Sequence, residues 1–310
     1  MVLIIRECMC DVLLSIIILT MNRCEQMAEA FESCIASALP TNTEFVIVDN
    51  HSTDQTKDTI KKLQIDYPGI TIRAFYLDSN LGVGGGRSYG FAQAKGKYLY
   101  FMDDDAVISN NSRNRFFLRS IDYLERNSNV ASLTTGINDE MFGEDRTGDT
   151  INETIDGLPL NFIFLGGSHF LRKAYFDEPL YFKINYSSEE YMPSIKAMDK
   201  GYFHVVDKEI SIDHHPRINK WIHGSNMERE LQIKYLAVTF ATKKLLYPII
   251  YQPAICVFFL VREFKYFGFE FKAYRRTAEM VRTILKENHS EKVASKTVNT
   301  MIHLFGLTVL

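Results

Sequence analysis

The segment Lys97-Tyr98-Leu99-Tyr100-Phe101-Met102-Asp103-Asp104-Asp105 joins an apolar run to three consecutive carboxylates. In an extended strand, Asp103 and Asp105 project to one side and Asp104 to the other. Neighbouring buried acids repel one another, so they need a compensating cation or a solvated helix start. Two carboxylates on one side suit Mg²⁺ or Mn²⁺, which proteins hold together with substrate phosphates. The segment therefore predicts a divalent-metal site at the end of a buried strand, with a helix N-terminus as the alternative.

Composition is typical of a globular chain that can bury a full core. The 310 residues are 46% hydrophobic and carry a formal net charge of −3, which excludes the disordered and fibrous classes. The charge is uneven, because residues 214–310 contain 15 Lys and Arg against 7 Asp and Glu. The first part of the chain is consequently acidic and the last part basic.

Cysteine usage and the first apolar run predict a cytosolic location. The five cysteines are scattered without paired CxxC elements, which favours reduced thiols over a disulfide framework or a zinc site. They are Cys8, Cys10, Cys24, Cys34 and Cys256. The apolar run at residues 12–19 is too short to span a bilayer, so we interpret it as a buried strand and not as a signal peptide.

Strand-like and helix-like patterns alternate over the first hundred residues. Predicted strands lie at residues 12–19, 44–48, 70–76 and 98–102. Predicted helices lie between them at 24–39, 56–65 and 87–94, with a glycine-rich loop at 78–86. This alternation predicts an α/β fold with a mostly parallel sheet flanked by helices. Because ligands bind at the carboxyl ends of parallel strands, the polar segments that follow the four strands are expected to meet in one crevice.

Shorter patterns follow the acidic segment. The sequence predicts a helix at 112–126, a mobile loop at 138–157 and a strand at 165–170, in which Gly166 and Gly167 allow close backbone packing. A helix is expected to open at 187–190 with acids in its first turn, and a strand at 208–213 precedes His214.

Several motifs stand in a fixed order along the chain. They are residues 15–23 (SIIILTMNR), 45–54 (FVIVDNHSTD), 80–87 (NLGVGGGR), 100–105 (YFMDDD), Glu189-Glu190, Gly201-Tyr202 and His214. On these motifs, residues 12–216 resemble the inverting glycosyltransferases of family 2, which have the nucleotide-sugar-binding GT-A fold. The acidic and glycine-rich motifs also show some similarity to galactofuranosyl- and rhamnosyltransferases.

The resemblance implies a donor site with a divalent metal, Mn²⁺ or Mg²⁺, that bridges the diphosphate. The implied metal ligands are Asp103, Asp105 and His214, with His215 left open as an alternative to His214. The implied nucleotide-sugar-binding residues are Thr20, Asn22, Arg23, Asp49, Asn80, Gly85, Arg87, Asp103 and Asp104. Among them Asp49 would accept hydrogen bonds from the base, and the guanidinium of Arg87 could pair with diphosphate oxygens.

The acidic pair Glu189-Glu190 matches the family's catalytic acids. Inverting transfer needs one base to take the proton from the acceptor hydroxyl as that hydroxyl attacks the anomeric carbon. We assign this role to Glu190, although the family most often has Asp at this position. The alternative is that both glutamates only favour the helix N-terminus.

The C-terminal region, residues 217–310, lies beyond the family match and is predicted to be helical. Residues 245–261 are uncharged, and residues 265–276 interleave aromatic rings with cations. This mixture is typical of a helix lying in an anionic membrane interface. The alternative is a helical region that packs on the catalytic domain, residues 1–216, or on a second copy of the chain.

Together these features predict a metal-dependent inverting glycosyltransferase. It would move a sugar from a nucleotide-diphosphate donor to a hydroxyl of a glycan or lipid-linked glycan in surface polysaccharide synthesis, at the cytoplasmic face of the membrane. A sugar-phosphate nucleotidyltransferase is a second hypothesis, although residues 20–23 lack the glycines expected after its first strand. A non-catalytic nucleotide-sugar-binding homologue is a third. No nucleic-acid partner is expected, because no recognised RNA- or DNA-binding module accompanies the basic charge.

Overall fold

Strands and helices alternate through the first hundred residues, as the sequence predicts. The computed structural model describes residues 12–139, 144–145, 150–184, 188–216 and 225–310. The first elements are β1 (Leu14–Thr20), α1 (Cys24–Ile35), β2 (Thr43–Asp49), α2 (Thr56–Asp66), β3 (Thr71–Tyr76), α3 (Gly82–Gln93) and β4 (Tyr98–Asp103). Cys8, Cys10, Ser187, part of the predicted 138–157 loop and the segment 217–224 lie outside the described residues.

The middle of the chain is richer in strands. Its elements are β5 (Ala106–Ile108), α4 (Phe116–Arg126), β6 (Val130–Asp139), β7 (Glu144–Asp145), β8 (Thr154–Ile155), β9 (Leu158–Asn161), β10 (Ser168–Arg172), α5 (Tyr191–Asp199) and β11 (Phe203–His214). The chain then continues as four helices, α6 (Ser225–Leu246), α7 (Gln252–Phe267), α8 (Phe271–Glu287) and α9 (Ser295–Phe305).

One mixed sheet connects all of these strands. Its order is β3-β2-β1-β4-β10-β6-β11-β9-β8, with β5 paired to β11 and β7 to β6. The first four strands in this order are parallel to one another, as predicted, whereas β10 is antiparallel to both β4 and β6. The carboxyl ends of β1, β2 and β4 consequently lie along one edge of the sheet, where the polar segments follow.

The glycine-rich segment is helical where the sequence predicts a loop. Helix α3 begins at Gly82, so the loop prediction is wrong for residues 82–86. A Cβ on Gly86 would lie 2.4 Å from Cδ1 of Leu19, and one on Gly90 would lie 2.7 Å from Cγ2 of Ile17. The glycines therefore allow α3 to pack directly against β1.

Other boundaries also differ from the predictions. Helix α1 ends at Ile35 and α4 begins at Phe116, so both are shorter than expected. Strand β6 runs to Asp139, into the segment predicted as a loop. Helix α5 begins at Tyr191, so Glu189 and Glu190 precede the helix and do not occupy its first turn.

The C-terminal helices share an apolar core with α5. Ile195 of α5 packs in one buried cluster with Val238 of α6 and with Val298 and Met301 of α9. Asn288, at the end of α8, accepts a hydrogen bond from the backbone N–H of Lys183 at 2.7 Å. Among the described residues, no helix is both long and apolar enough to cross a membrane. The predicted division of the chain at residues 216 and 217 remains a prediction.

Candidate functional site

Polar side chains tie together the loops at the carboxyl ends of β1, β2 and β3. Asn22, in a left-handed conformation with φ 54°, accepts a hydrogen bond from the backbone N–H of Thr53 at 2.7 Å. Asn50 accepts one from the backbone N–H of Leu81 at 2.9 Å and donates one to Asn80 Oδ1 at 2.9 Å. These bonds bring three segments of the predicted crevice into contact.

The residues predicted to bind the base line this crevice. Asp49 is buried, and its Oδ1 accepts a hydrogen bond from the backbone N–H of Ser52 at 2.9 Å, which fixes the turn after β2. Thr20 is also buried, and its side chain interacts with the carboxyl of Asp104. Gly85 lies inside α3, next to Leu81.

Two carboxylates and one imidazole form a metal-sized cluster. One ligand atom each from Asp103, Asp105 and His214 lie within 4.8 Å of one another, and the cluster contains His214 and not His215. Strand pairing explains the arrangement, because His214 is opposite Ala106 in the β5 register and opposite Asp139 in the β6 register. Residues more than a hundred positions apart are thereby adjacent.

His214 is held between two acids. Its Nε2 lies 3.2 Å from Asp105 Oδ1, and its Nδ1 lies 2.9 Å from Asp139 Oδ2. Burial alone would lower the pKa of His214, but the hydrogen bond and charge of Asp105, with Asp139, raise it to about 9. Asp139 was missed at the sequence level, because its segment was interpreted as a loop. A carboxylate that fixes the far nitrogen of a histidine is the usual support of a metal-binding imidazole.

Arg23 compensates the charge of the remaining acids. Its Nη1 lies 2.8 Å from Asp104 Oδ1 and 2.7 Å from Asp105 Oδ2. Burial raises the pKa of Asp104 to about 6 despite this cation. The side chain of Thr20 interacts with the same carboxyl and lowers the pKa of Asp104, as Arg23 does. The chemistry of this donor set, two hard oxygen ligands and one imidazole, fits a divalent metal such as Mn²⁺.

Arg87 lies at the centre of a second network. Its guanidinium is buried and contacts Asp103 Oδ1 at 2.5 Å, Glu189 Oε1 at 3.2 Å and Glu190 Oε1 at 3.4 Å. It also donates to the backbone oxygen of Gly166 at 2.9 Å. The sequence predicts that Arg87 faces the diphosphate. In this structure Arg87 joins the Asp103, Asp105 and His214 cluster to Glu189 and Glu190.

Glu190 has an environment that disfavours its charged form. Burial and the neighbouring Glu189 carboxylate raise the pKa of Glu190 to about 8, although Arg87 acts in the opposite direction. A Cβ on Gly166 would lie 2.2 Å from Glu190 Oε1, so the glycine leaves room for the carboxylate where it now lies. The sequence predicts close backbone packing at Gly166 and Gly167, but it does not predict that Glu190 is the group packed there.

Comparison with known proteins decides the family. The model of glycosyl transferase family 2 matches residues 15–184, more than half of the chain, a range that contains Asp49, Arg87 and Asp103–Asp105 and ends before Glu189, Glu190 and His214. The chain belongs to glycosyltransferase family 2.

A relative within the family is the GalNAc(5)-diNAcBac-PP-undecaprenol beta-1,3-glucosyltransferase of Campylobacter jejuni. It is 33% identical over 94 residues, which are 30% of this chain and 29% of that enzyme. The chain matches less than a third of the length of each of its curated relatives.

Solved structures show the fold that the family predicts. GalNAc-T7 with UDP, GalNAc and Mn²⁺ superposes with a TM-score of 0.60 at 14% identity, covering 77% of this chain and 48% of that one. S. aureus TarS in complex with UDP-GlcNAc gives 0.58 at 16% identity, covering 92% of this chain and 83% of that one. The GT-A fold and the helical C-terminal region predicted from sequence are thus confirmed.

Proposed function

We propose that this family-2 chain is a metal-dependent inverting glycosyltransferase that uses a nucleotide-diphosphate sugar and a lipid-linked glycan acceptor. The observation that carries the proposal is the pair of sites joined by Arg87. One site is a carboxylate and imidazole cluster suited to a metal, and the other is a buried glutamate with a raised pKa. The two sites would serve the two needs of inverting transfer, because charge develops on the leaving diphosphate while a proton leaves the acceptor.

Asp103, Asp105 and His214 would hold the divalent metal. When bound, Mn²⁺ or Mg²⁺ neutralises negative charge on the diphosphate as it leaves. The presence of Mn²⁺ and UDP in the GalNAc-T7 structure supports this assignment. Asp139 would keep the His214 ring oriented, and Arg23 would compensate Asp104 and Asp105.

The crevice at the ends of β1 and β2 would bind the nucleoside. Asp49 would accept hydrogen bonds from the base, and Thr20, which is buried at the end of β1, would lie beside the ribose. Asn22 and Asn80 would fix the loops around them. Gly85, in α3, would allow the helix backbone to approach the donor.

Glu190 would act as the general base. The raised pKa of Glu190 suits proton abstraction near neutral pH. A carboxylate with an ordinary pKa would be a weaker base, and one with a much higher pKa would stay protonated. Glu189 adds its negative charge to the effect of burial on this pKa, and Arg87, which contacts both carboxylates, would hold them beside the donor.

The acceptor assignment relies on the relatives. The Campylobacter jejuni enzyme is named for an undecaprenol-linked glycan, and a Bacillus subtilis relative, 27% identical over 124 residues, is named for minor teichoic acid biosynthesis. We propose the same broad role for this chain, in surface polysaccharide synthesis at the cytoplasmic face of a membrane.

A panel of UDP-, GDP- and dTDP-sugars tests the proposal. With Mn²⁺ present, one donor should raise the melting temperature of the protein, and the same donor should release its nucleoside diphosphate when acceptor is added. EDTA and Asp105→Ala should abolish turnover. Release of pyrophosphate from a nucleoside triphosphate would instead indicate a nucleotidyltransferase, and donor binding without turnover would indicate a non-catalytic homologue.

A further inference from the structure

Helix α7 carries a continuous apolar face that no described part of the chain covers. Of the sixteen exposed large apolar side chains among the residues that the structure describes, nine lie within residues 249–271. On α7 itself they recur at helical spacing, at Val257, Leu260, Val261 and Phe264, so they share one side of the helix. We name this surface, together with Phe269 and Phe271 that follow it, the α7 face.

The α7 face is a fixed surface because the opposite side of the helix is packed. Ile255 and Phe267 are buried, and the ring of Phe259 stacks on that of Phe240 of α6 at 4.0 Å. Phe269, which is 81% exposed, meets Phe264 edge-on at 5.6 Å and extends the face past the end of the helix. Fixed exposure of this many apolar side chains marks a binding surface.

The charges around the α7 face are suited to an anionic partner. Lys265 and Lys272 are exposed and make no ion pair with any carboxylate that the structure describes. The nearby acid Glu270 is already paired with Arg229 at 3.0 Å, and Glu263 is buried. At the α7 face, the exposed charge that no described residue neutralises is therefore positive.

We propose that the α7 face docks on an anionic lipid surface, with its apolar side chains inserted and Lys265 and Lys272 at the headgroups. An apolar stripe bordered by cations is the pattern of helices that lie in a membrane interface. A symmetric dimer through the same face would place two such cationic surfaces against each other, with no free carboxylate described at the face to compensate them. The docking surface itself is inferred without the proposed function. Only its link to a lipid-linked acceptor rests on that function.

The position of the α7 face connects it to the transfer site. Helix α7 packs on α6, and α6 packs on α5, which begins directly after Glu190. The hydroxyl of Tyr191 lies 3.5 Å from that of Tyr235 of α6. A surface docked through α7 would thus be linked to the proposed base through two packed helices, α6 and α5.

Vesicle co-sedimentation of the full chain tests the docking. The wild type should sediment with phosphatidylcholine vesicles that contain phosphatidylglycerol. Phe264→Ser with Phe269→Ser should weaken partitioning about tenfold or more, because two inserted rings are lost. Ile65→Ser with Leu118→Ser, which removes exposed apolar side chains elsewhere, is the matched control and should bind like the wild type.

A charge-reversal pair tests the electrostatic half of the proposal. Lys265→Glu with Lys272→Glu should reduce binding to the anionic vesicles about tenfold or more, whereas Lys62→Glu with Lys296→Glu should not. Wild-type protein that stays in the supernatant, or α7-face variants that sediment unchanged, would overturn the proposal. The proposal would also be overturned if the wild type were a dimer that Phe264→Ser with Phe269→Ser dissociates, and if neither the dimer nor the monomer bound vesicles.

The vesicle assay contains neither donor nor acceptor, so its result is independent of turnover. Vesicle binding by a protein that turns over no nucleotide sugar would contradict the proposed function alone. Turnover by a protein that binds no vesicles would contradict the α7 docking surface alone.

Discussion

At the scale of single residues, Glu190 gives the sharpest prediction. Glu190→Gln keeps the size of the side chain but removes the base, so glycosyl transfer should fall by roughly 10²–10⁴-fold. Donor binding, measured by calorimetry with Mn²⁺, should survive. The exposed Glu291→Gln is the matched control, and full transfer by Glu190→Gln would exclude this residue as the base.

The pH dependence of transfer follows from the same carboxyl group. Because burial and Glu189 raise the pKa of Glu190 to about 8, the base is protonated below that pH, and kcat/KM should rise with pH and level off above it. Glu189→Gln removes the neighbouring negative charge and should move the inflection to lower pH. An inflection that does not move in this variant would contradict the coupling of the two carboxylates.

Asp139 provides a test of the metal site that does not need activity. Asp139→Ala removes the acceptor that fixes Nδ1 of His214, so affinity for Mn²⁺ should fall about 10–100-fold. Free Mn²⁺ can be counted by electron paramagnetic resonance during a titration. The exposed Asp122→Ala should bind the metal like the wild type. An unchanged affinity in Asp139→Ala would mean that His214 is not a ligand or needs no such support.

At the scale of secondary-structure elements, the contact between α3 and β1 depends on glycine. Gly90→Ala would place a methyl group 2.7 Å from Cγ2 of Ile17, a buried branch close to the backbone, so it should lower the free energy of unfolding by about 1–3 kcal/mol. Chemical denaturation measures this change. Gly69→Ala, where a Cβ would meet nothing within 4 Å, is the control and should change stability little.

The same element shows what local patterns miss. The run of residues 82–86 looks like a loop because glycine is the poorest helix former after proline. Two contacts favour its helical state. The segment packs against β1, and at the start of the helix Gly82 donates its N–H to Asn80 Oδ1 at 2.8 Å. Tertiary contact overrides the intrinsic preference here.

At the scale of the whole molecule, we expect the sheet region and the C-terminal helices to unfold together. Asn288 joins them, because its Oδ1 accepts the N–H of Lys183 and its Nδ2 donates to the oxygen of Ile284 at 3.0 Å. Asn288→Ala leaves the Lys183 N–H without this partner and should destabilise the protein by about 1–3 kcal/mol. The exposed neighbour His289→Ala should not.

Scanning calorimetry of the full chain measures this coupling. One transition that shifts to lower temperature in Asn288→Ala would support a shared core. Two separate transitions, only one of which shifts, would show that the helices fold independently.

The sequence by itself determined the α/β alternation, the strand-end positions of Asp49 and Asp103–Asp105, and the family, because these depend on local apolar periodicity and on motifs within short segments. Only the tertiary structure decided that Asp139 supports His214, that Arg87 contacts Asp103 and both glutamates, and that the α7 face stays exposed. Strand register and helix packing bring these residues together across large sequence separations, and no local pattern encodes such long-range contacts.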